Sequence, residues 1–329
     1  MGKTKVRGNM LVRFWGTRGS LPTSTTAADV RSKVAQALVA AQGKKFDNLE
    51  AANAFIDSDL PMSVGGTYGG ASSCVEIEDG GDEFLICDLG SGARTFGLDA
   101  FRRIGEGRKK IFHIFMSHFH WDHIMGFPFF GPAYDSEVTI HFYGGHAEME
   151  EALRRQQERI SFPVPFDYMA SKKEFHLLEP GIGHDIAGYR VQLIRQYHDN
   201  DSYGYRFERH GRSIVYTTDC EHKMDDVERE QAFVDFFDEA DLIIFDTMYT
   251  LAEALTMKED WGHSSGMTAV DLCHKAHARK LAMFHHEPIF DDATIEQHHE
   301  GTARYEELTR DDAPPLEILC SYDGLEVEV

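Results

Sequence analysis

Between Ser117 and His123 the chain reads Ser-His-Phe-His-Trp-Asp-His, which places His118, His120, Asp122 and His123 on one short segment. Imidazole and carboxylate donors together suit Zn²⁺, Mn²⁺ or Fe, whereas Mg²⁺ or Ca²⁺ would call for an oxygen shell. Histidines two apart in extended backbone point the same way and can share one ion. The aspartate and its neighbouring histidine then turn toward a second position. A solvated His-rich loop is the bland alternative, and the placement argues against it, because the ligands follow directly on the apolar run Ile111 to Met116.

One loop cannot complete two coordination shells, so more ligands are expected at other strand ends. His198 closes the run Tyr189 to Gln196, Asp219 follows Ser213 to Tyr216, and His285 follows Lys280 to Phe284. Each alone reads more readily as a cap or a supporting residue. Together with the first segment they supply a ligand set for two ions, with Asp219 free to bridge them, as two-metal hydrolytic sites require.

Those ligands need rigid support, and the chain offers it. Short apolar runs rich in β-branched and aromatic residues recur at Met10 to Trp15, Phe84 to Cys87, Ile111 to Met116, Val138 to Phe142, Tyr189 to Ile194, Ser213 to Tyr216 and Leu242 to Phe245. Their length fits buried strands. Helical periodicity falls between them, at Met149 to Ile160 and at Met267 to Ala278, the latter after the N-cap candidates Ser264 and Ser265. The closing runs Leu316 to Cys320 and Leu325 to Val329 predict a hairpin turning at Asp323-Gly324. Mixed strands and helices imply a layered α/β protein. Residues 24 to 63 carry helix-like spacing (Val30, Val34, Leu38; then Phe55 and Ile56) and read as a helical insertion, either a lid or a passive surface elaboration.

The 329 residues show no repeat or low-complexity linker, so one domain over 1–329 is expected. Lys and Arg total 33 against 55 Asp and Glu, a net charge of −22, which repels polyanions and counts against a long nucleic-acid substrate. No apolar run is long enough to cross a membrane. The basic start, Met1 to Arg7, is followed by no apolar stretch, so no signal peptide is expected. Five scattered cysteines without a CxxC pair argue against a disulfide framework or a cysteine zinc site, and a cytoplasmic location is expected.

The HFHWDH segment, with His198, Asp219 and His285 in that order, resembles the metallo-β-lactamase superfamily. Within it the chain is similar to the branch of ribonuclease Z and cyclic-nucleotide phosphodiesterases. The motifs that carry the likeness are Phe14-Trp15-Gly16-Thr17-Arg18-Gly19-Ser20, Tyr68-Gly69-Gly70-Ala71-Ser72-Ser73-Cys74, Asp88-Leu89-Gly90-Ser91-Gly92, Trp261-Gly262-His263-Ser264-Ser265 and Phe284-His285-His286-Glu287-Pro288. The resemblance implies a four-layer αβ/βα sandwich, outside the insertion at 24–63, with the metals at one edge. It departs from the family at Ala71, where relatives usually carry Asn, and it shows no Gly- and Pro-rich arm of the kind that grips transfer RNA.

The resemblance implies one ion on His118, His120 and His198, another on Asp122, His123 and His285, and Asp219 joining them. Zinc is favoured, with manganese and iron as alternatives. A water shared by ions about 3.5–4 Å apart would become a hydroxide nucleophile at neutral pH, and Asp122 would orient or deprotonate it. In similar ribonuclease Z sequences the histidine of Gly-His-Ser-Ser/Thr is the proton donor, which makes His263 the expected acid; Asp246 would hydrogen-bond it or a ligand histidine. His286 is expected in a supporting or surface position. The runs Phe127 to Phe130 and Phe162 to Phe166 would wall a pocket or fill core.

The favoured activity is a phosphodiesterase acting on a small diester such as a cyclic nucleotide. Endoribonuclease activity of the ribonuclease Z type and lactone or thioester hydrolysis are the alternatives. A di-iron redox sensor is a non-hydrolytic one, disfavoured because such relatives usually place Glu where His120 stands. A homodimer is left open.

Overall fold

Short apolar runs, several of them buried on both faces, build two facing sheets in the computed structural model, which describes residues 10–223, 226–254, 256, 258 and 260–329. The basic stretch Met1 to Arg7 lies outside these. Strands β1 (Leu11–Gly16), β2 (Cys74–Glu78), β3 (Phe84–Cys87), β4 (Ile111–Phe115), β5 (Thr139–Gly144) and β6 (Lys172–Leu177) join β14 (Glu326–Glu328) in one sheet of order β14-β1-β2-β3-β4-β5-β6. The second contains β7 (His184–Ile186), β8 (Tyr189–Gln196), β9 (Ser202–Arg209), β10 (Arg212–Thr217), β11 (Leu242–Asp246), β12 (Lys280–Phe284) and β13 (Glu317–Cys320), in the order β13-β12-β11-β10-β9-β8-β7. Each sheet is antiparallel on one side and parallel on the other, the change falling at β3 and at β10.

The helices are α1 (Ala27–Ala40), α2 (Leu49–Asp59), α3 (Met62–Gly65), α4 (Ala93–Gly105), α5 (Trp121–Ile124), α6 (Met149–Gln156), α7 (Val227–Phe237), α8 (Leu251–Ala254), α9 (Gly266–Lys275) and α10 (Asp292–Thr309). Burial separates into three apolar layers. Val12, Phe14, Phe115, Tyr205, Tyr216 and Phe284 pack between the sheets. Phe84, Phe96, Phe112 and Phe130 fill the space under α4, and Val215, Phe233, Phe245 and Val270 fill that under α7 and α9. Three apolar layers between four structural ones make the αβ/βα sandwich. No helix among the described residues is long and apolar enough to cross a membrane.

The expected strands all form, with ends shifted by a residue or two as fraying allows. The expected C-terminal hairpin does not form. β13 runs parallel to β12 in the second sheet, whereas β14 pairs with β1 in the first. The chain crosses between sheets at Asp323, whose half-buried carboxylate accepts from the Gly70 and Ala71 amides at 2.9 Å each and from Thr17 Oγ1 at 3.2 Å. Those bonds fix the crossing, and alternation in the sequence carries no trace of them.

The insertion is helical. Thr26 and Asp29 form a capping box on α1, and α2 begins at an Asn48 cap. No α1 residue is buried, and α2 buries Phe55 alone. Lys33 Nζ ties the unit to the start of α10 through Asp292 Oδ2 at 2.6 Å, and Ser63 bonds Glu296 further along the same helix.

The ring cluster under α4 bears on stability. Phe112 is fully buried, stacked on Phe84 at 4.6 Å and edge-on to Phe130 at 5.2 Å. Replacing it with alanine leaves a cavity that rigid neighbouring rings cannot close. We expect Phe112→Ala to lower unfolding free energy by about 3–5 kcal/mol, read as a reduced urea midpoint at unchanged slope.

Candidate metal centre

The expected metal ligands all come from strand ends at one edge of the sandwich. Met116 and Ser117 follow β4, and His120 then enters the single turn of α5, which carries Asp122 and His123. Asp219 and His285 follow β10 and β12, and both sit in the left-handed backbone region, with φ of 51° and 62°. For residues other than glycine that conformation costs roughly 1–2 kcal/mol. It turns each side chain abruptly off its strand, and His198 follows β8 from the same edge.

The seven expected ligands form two adjoining groups, His118, His120 and His198 in one and Asp122, His123, Asp219 and His285 in the other. In the second, His123 Nε2 lies 3.2 Å from His285 Nε2, 3.1 Å from Asp122 Oδ2 and 3.2 Å from Asp219 Oδ1. His285 Nε2 is also 3.1 Å from Asp122 Oδ2 and 3.2 Å from Asp219 Oδ1. In the first, His198 Nε2 is 3.1 Å from His120 Nδ1. Asp219 faces both groups, because its other oxygen, Oδ2, is 3.6 Å from His118 Nε2 and 3.7 Å from His198 Nε2.

These residues fit a pair of cations. Two imidazole nitrogens and two carboxylate oxygens gathered about one buried point form a donor set that a cation can satisfy. His118 Nε2 is fully buried with no hydrogen-bond partner. Separations of 3.1–3.7 Å match the edges, roughly 3.0–3.6 Å, of a polyhedron with bonds of about 2.0–2.2 Å.

Electrostatics agree. Burial pushes His118 well below its usual range, and His120 and His198 are lowered for the same reason, which leaves imidazole lone pairs free. Burial would raise the Asp122 and Asp219 carboxyls, but the surrounding histidines overcome it and hold both well below the usual carboxylate range. His123 goes the other way: burial lowers it, yet Asp122, Asp219 and Asp88 together raise it well above normal. An ion entering there displaces a proton.

The supporting layer is specific, and much of it was invisible to sequence reasoning. Asp88, also left-handed at φ 58°, accepts from Ser117 N at 2.7 Å, Ser117 Oγ at 2.6 Å, Tyr216 OH at 2.8 Å and His123 Nδ1 at 2.8 Å. Glu221 accepts from the Asp260 and Gly262 amides at 3.1 Å each. That loop presents the Gly262 carbonyl to His198 Nδ1 at 2.9 Å. Gly262 has φ +80°, and a β-carbon there would lie 2.2 Å from the His198 ring, so glycine is required twice over. Asp88 was visible only as part of a turn motif; Ser117, Tyr216 and Glu221 carried no separable signal.

His263 is buried beside the cluster. Its ring stacks on His285 at 5.1 Å, and Nδ1 lies 2.8 Å from Asp246 Oδ2. Burial lowers its pKa, but the Asp246 carboxylate outweighs that, and the imidazole is raised to about 9. Asp246 thus partners His263, while its other oxygen stays 4.0 Å from His285 Nδ1. Trp261 is exposed and does not hold His263. His286 is fully buried, bonded through Nε2 to the Ser321 carbonyl at 2.8 Å, and pushed down by burial to about 3. It is a strut beneath the site rather than a surface group. Ala71 acts through its backbone, donating to Asp323 and accepting from the Thr17 and Arg18 amides.

The expected aromatic walls divide. Phe127, Phe130 and Phe166 are core, whereas Phe129 and Phe162 meet edge-on at 5.5 Å in a cleft of about 900 Å³ that His118 and His120 also line. Trp121 stands exposed at its mouth.

Sandwich and site together define the class, a metal-dependent hydrolase with a buried His/Asp centre. The family model described as "Beta-lactamase superfamily domain" matches residues 91–286, and the chain belongs to the metallo-β-lactamase superfamily. It is 22% identical over 256 residues to Ribonuclease Z of Picrophilus torridus, covering 64% of this chain and 78% of that protein. It is also similar in fold to yeast PDE1, with a TM-score of 0.63 at 10% identity, covering 98% of this chain and 99% of that one. The metallo-β-lactamase fold protein YhfI of Bacillus subtilis gives 0.61 at 15% identity, covering 98% and 100%.

Asp88 offers a test of how the centre is held. Asp88→Asn keeps the shape and removes the charge that orients His123. We expect metal affinity to fall about 10–100-fold, measured by competition with a chromogenic chelator on protein that circular dichroism shows to be folded.

Proposed function

We propose that this chain is a phosphodiesterase for small diesters, a cyclic nucleotide being the type case, working with two zinc ions. The observation that carries the reading is the buried His263–Asp246 pair stacked against His285. A thioester can expel its thiolate unaided, whereas expelling an alkoxide from phosphorus calls for a proton donor. Bound divalent cations would neutralise the diester and make a water acidic enough to attack at neutral pH.

His118, His120 and His198 would hold one ion; Asp122, His123 and His285 the other; and Asp219 would join them. Nitrogen-rich donors with carboxylate favour zinc, with manganese or iron as substitutes. Asp122 is itself held in place, accepting from the Ser20 amide at 2.8 Å, and can receive the attacking water's proton. Asp246 occupies His263 Nδ1 and keeps the ring charged, so Nε2 is the nitrogen left to protonate the leaving oxygen. Phe129 and Phe162 offer faces on which a base stacks.

The similarity to Ribonuclease Z of Picrophilus torridus supports a second reading, endonucleolytic cleavage of RNA. The net charge of −22 weighs against a long polyanion and favours the small diester.

Metal-loaded protein should turn over bis-p-nitrophenyl phosphate, and His120→Ala should abolish this. His263→Ala should retain metal, react nearly normally with that activated ester and lose about 10²–10⁴-fold on alkyl leaving groups. Silence toward diesters alongside turnover of a lactone or thioester would sink the proposal; equal loss on both diesters would remove the acid role.

The cleft makes a separate prediction. Phe129→Ala with Phe162→Ala should raise KM for a cyclic nucleotide by the loss of stacking, about 1–3 kcal/mol per base. kcat/KM for dimethyl phosphate, which has no ring to stack, should stay unchanged.

A further inference from the structure

Away from the strand ends, the inner face of the first sheet becomes polar along β4, β5 and β6. The register sets His113 beside His141, His141 beside Glu174, and Tyr143 beside His176. The rings stack in sequence, His113 on His141 at 5.2 Å and Tyr143 on His176 at 4.8 Å. Phe115, stacked on Tyr143 at 4.9 Å, continues that face into the apolar core and separates it from the ligand-bearing loop.

His113 is fully engaged, with Nδ1 3.1 Å from Tyr143 OH and Nε2 2.9 Å from Glu83 Oε2. The next three side chains converge instead on a point. His141 Nδ1 is 3.1 Å from His176 Nε2 and 3.2 Å from Glu174 Oε2, and His176 Nε2 is 3.8 Å from that same oxygen. Glu174 spends its other oxygen on Lys172 at 2.5 Å. Two imidazole nitrogens and one carboxylate oxygen thus lie at spacings close to the edges, roughly 3.0–3.6 Å, of a coordination polyhedron.

We propose that His141, Glu174 and His176 form a third divalent-metal site, independent of the two-ion centre, that takes a zinc-class transition ion with water completing its shell. Two nitrogens and one oxygen favour Zn²⁺, Ni²⁺ or Cu²⁺ over Mg²⁺ or Ca²⁺. Side-chain exposures of 21%, 33% and 38% give the ion an entry path and room for water. Burial and the neighbouring His113 hold His141 below its usual range, which favours the neutral imidazole that a metal requires. β6 ends its sheet, and edge strands are where pairing is weakest. An ion bridging β5 and β6 clamps that edge, and ligand binding to the folded state alone raises its stability.

The test is stoichiometric and needs no substrate. The whole 329-residue chain, stripped with EDTA, equilibrated with excess Zn²⁺ and desalted, should retain one zinc more per chain than His176→Ala or the isosteric Glu174→Gln. Zinc should also raise Tm more in the parent than in either variant, while turnover of bis-p-nitrophenyl phosphate matches across all three. Equal zinc content in parent and folded variants overturns the site. An equal Tm response to zinc overturns the clamp.

Discussion

The carboxylate of Asp88 is the point on which both sheets and the metal centre depend. It lies fully buried at the end of β3 and accepts from the Ser117 amide and hydroxyl after β4, from Tyr216 of β10 across the sandwich, and from the ligand His123. A buried anion is tolerable only when its lone pairs are filled. Filling them fixes the distance between sheets, the course of the His118 loop and the tilt of the His123 ring together. The left-handed backbone at Asp88, Asp219 and His285 is strain spent on the same end: each strand stops, and its next functional side chain turns into a shared space. Such strain persists because the surrounding bonds over-determine it.

From that frame the site acquires its gradation of charge. Neutral histidines gather on one side, an anionic pair and a cationic histidine on the other, and Asp219 spans the two. His263 stands just outside, kept charged by Asp246 rather than by the ligands alone. The pairing separates two tasks. In the proposed diesterase, the acidic residues at the centre would hold cations and orient water, while one imidazole with a private carboxylate would handle the leaving group's proton. Neighbouring groups whose environments push their titrations apart are the usual basis for such a division.

The side chains that gather in the candidate metal centre were legible as a set, because histidines and aspartates directly follow apolar runs, although each of the later three alone reads more readily as a cap. Asp122 and His123 lie beside His118 and His120 in the chain, so sequence proximity stood in for spatial proximity. His198, Asp219 and His285 were found by the same placement, although only the fold brings them to the loop. Support residues had no such mark. Tyr216 reads as an ordinary strand aromatic and Glu221 as one acid among many in a chain of strong negative charge. The terminal runs looked like a hairpin because alternation reports that a residue is in a strand, not which sheet the strand joins. Phe127 to Phe130 shows the same ambiguity: four neighbouring residues, of which Phe129 reaches the cleft while Phe127 and Phe130 fill the core.

By itself, then, the sequence determined the donor chemistry, the strands that carry it and the helical character of residues 24 to 63, because residue type and periodicity are local properties. The tertiary structure decided what depends on distance: Asp219 facing both ligand groups, the Asp88 hub, the pairing of His263 with Asp246, and the seating of the insertion on α10. It also decided that His141, without a pattern in the chain, meets Glu174 and His176. Those three converge because parallel strands align them in register, and register across a sheet is set by long-range hydrogen bonding that no stretch of sequence contains.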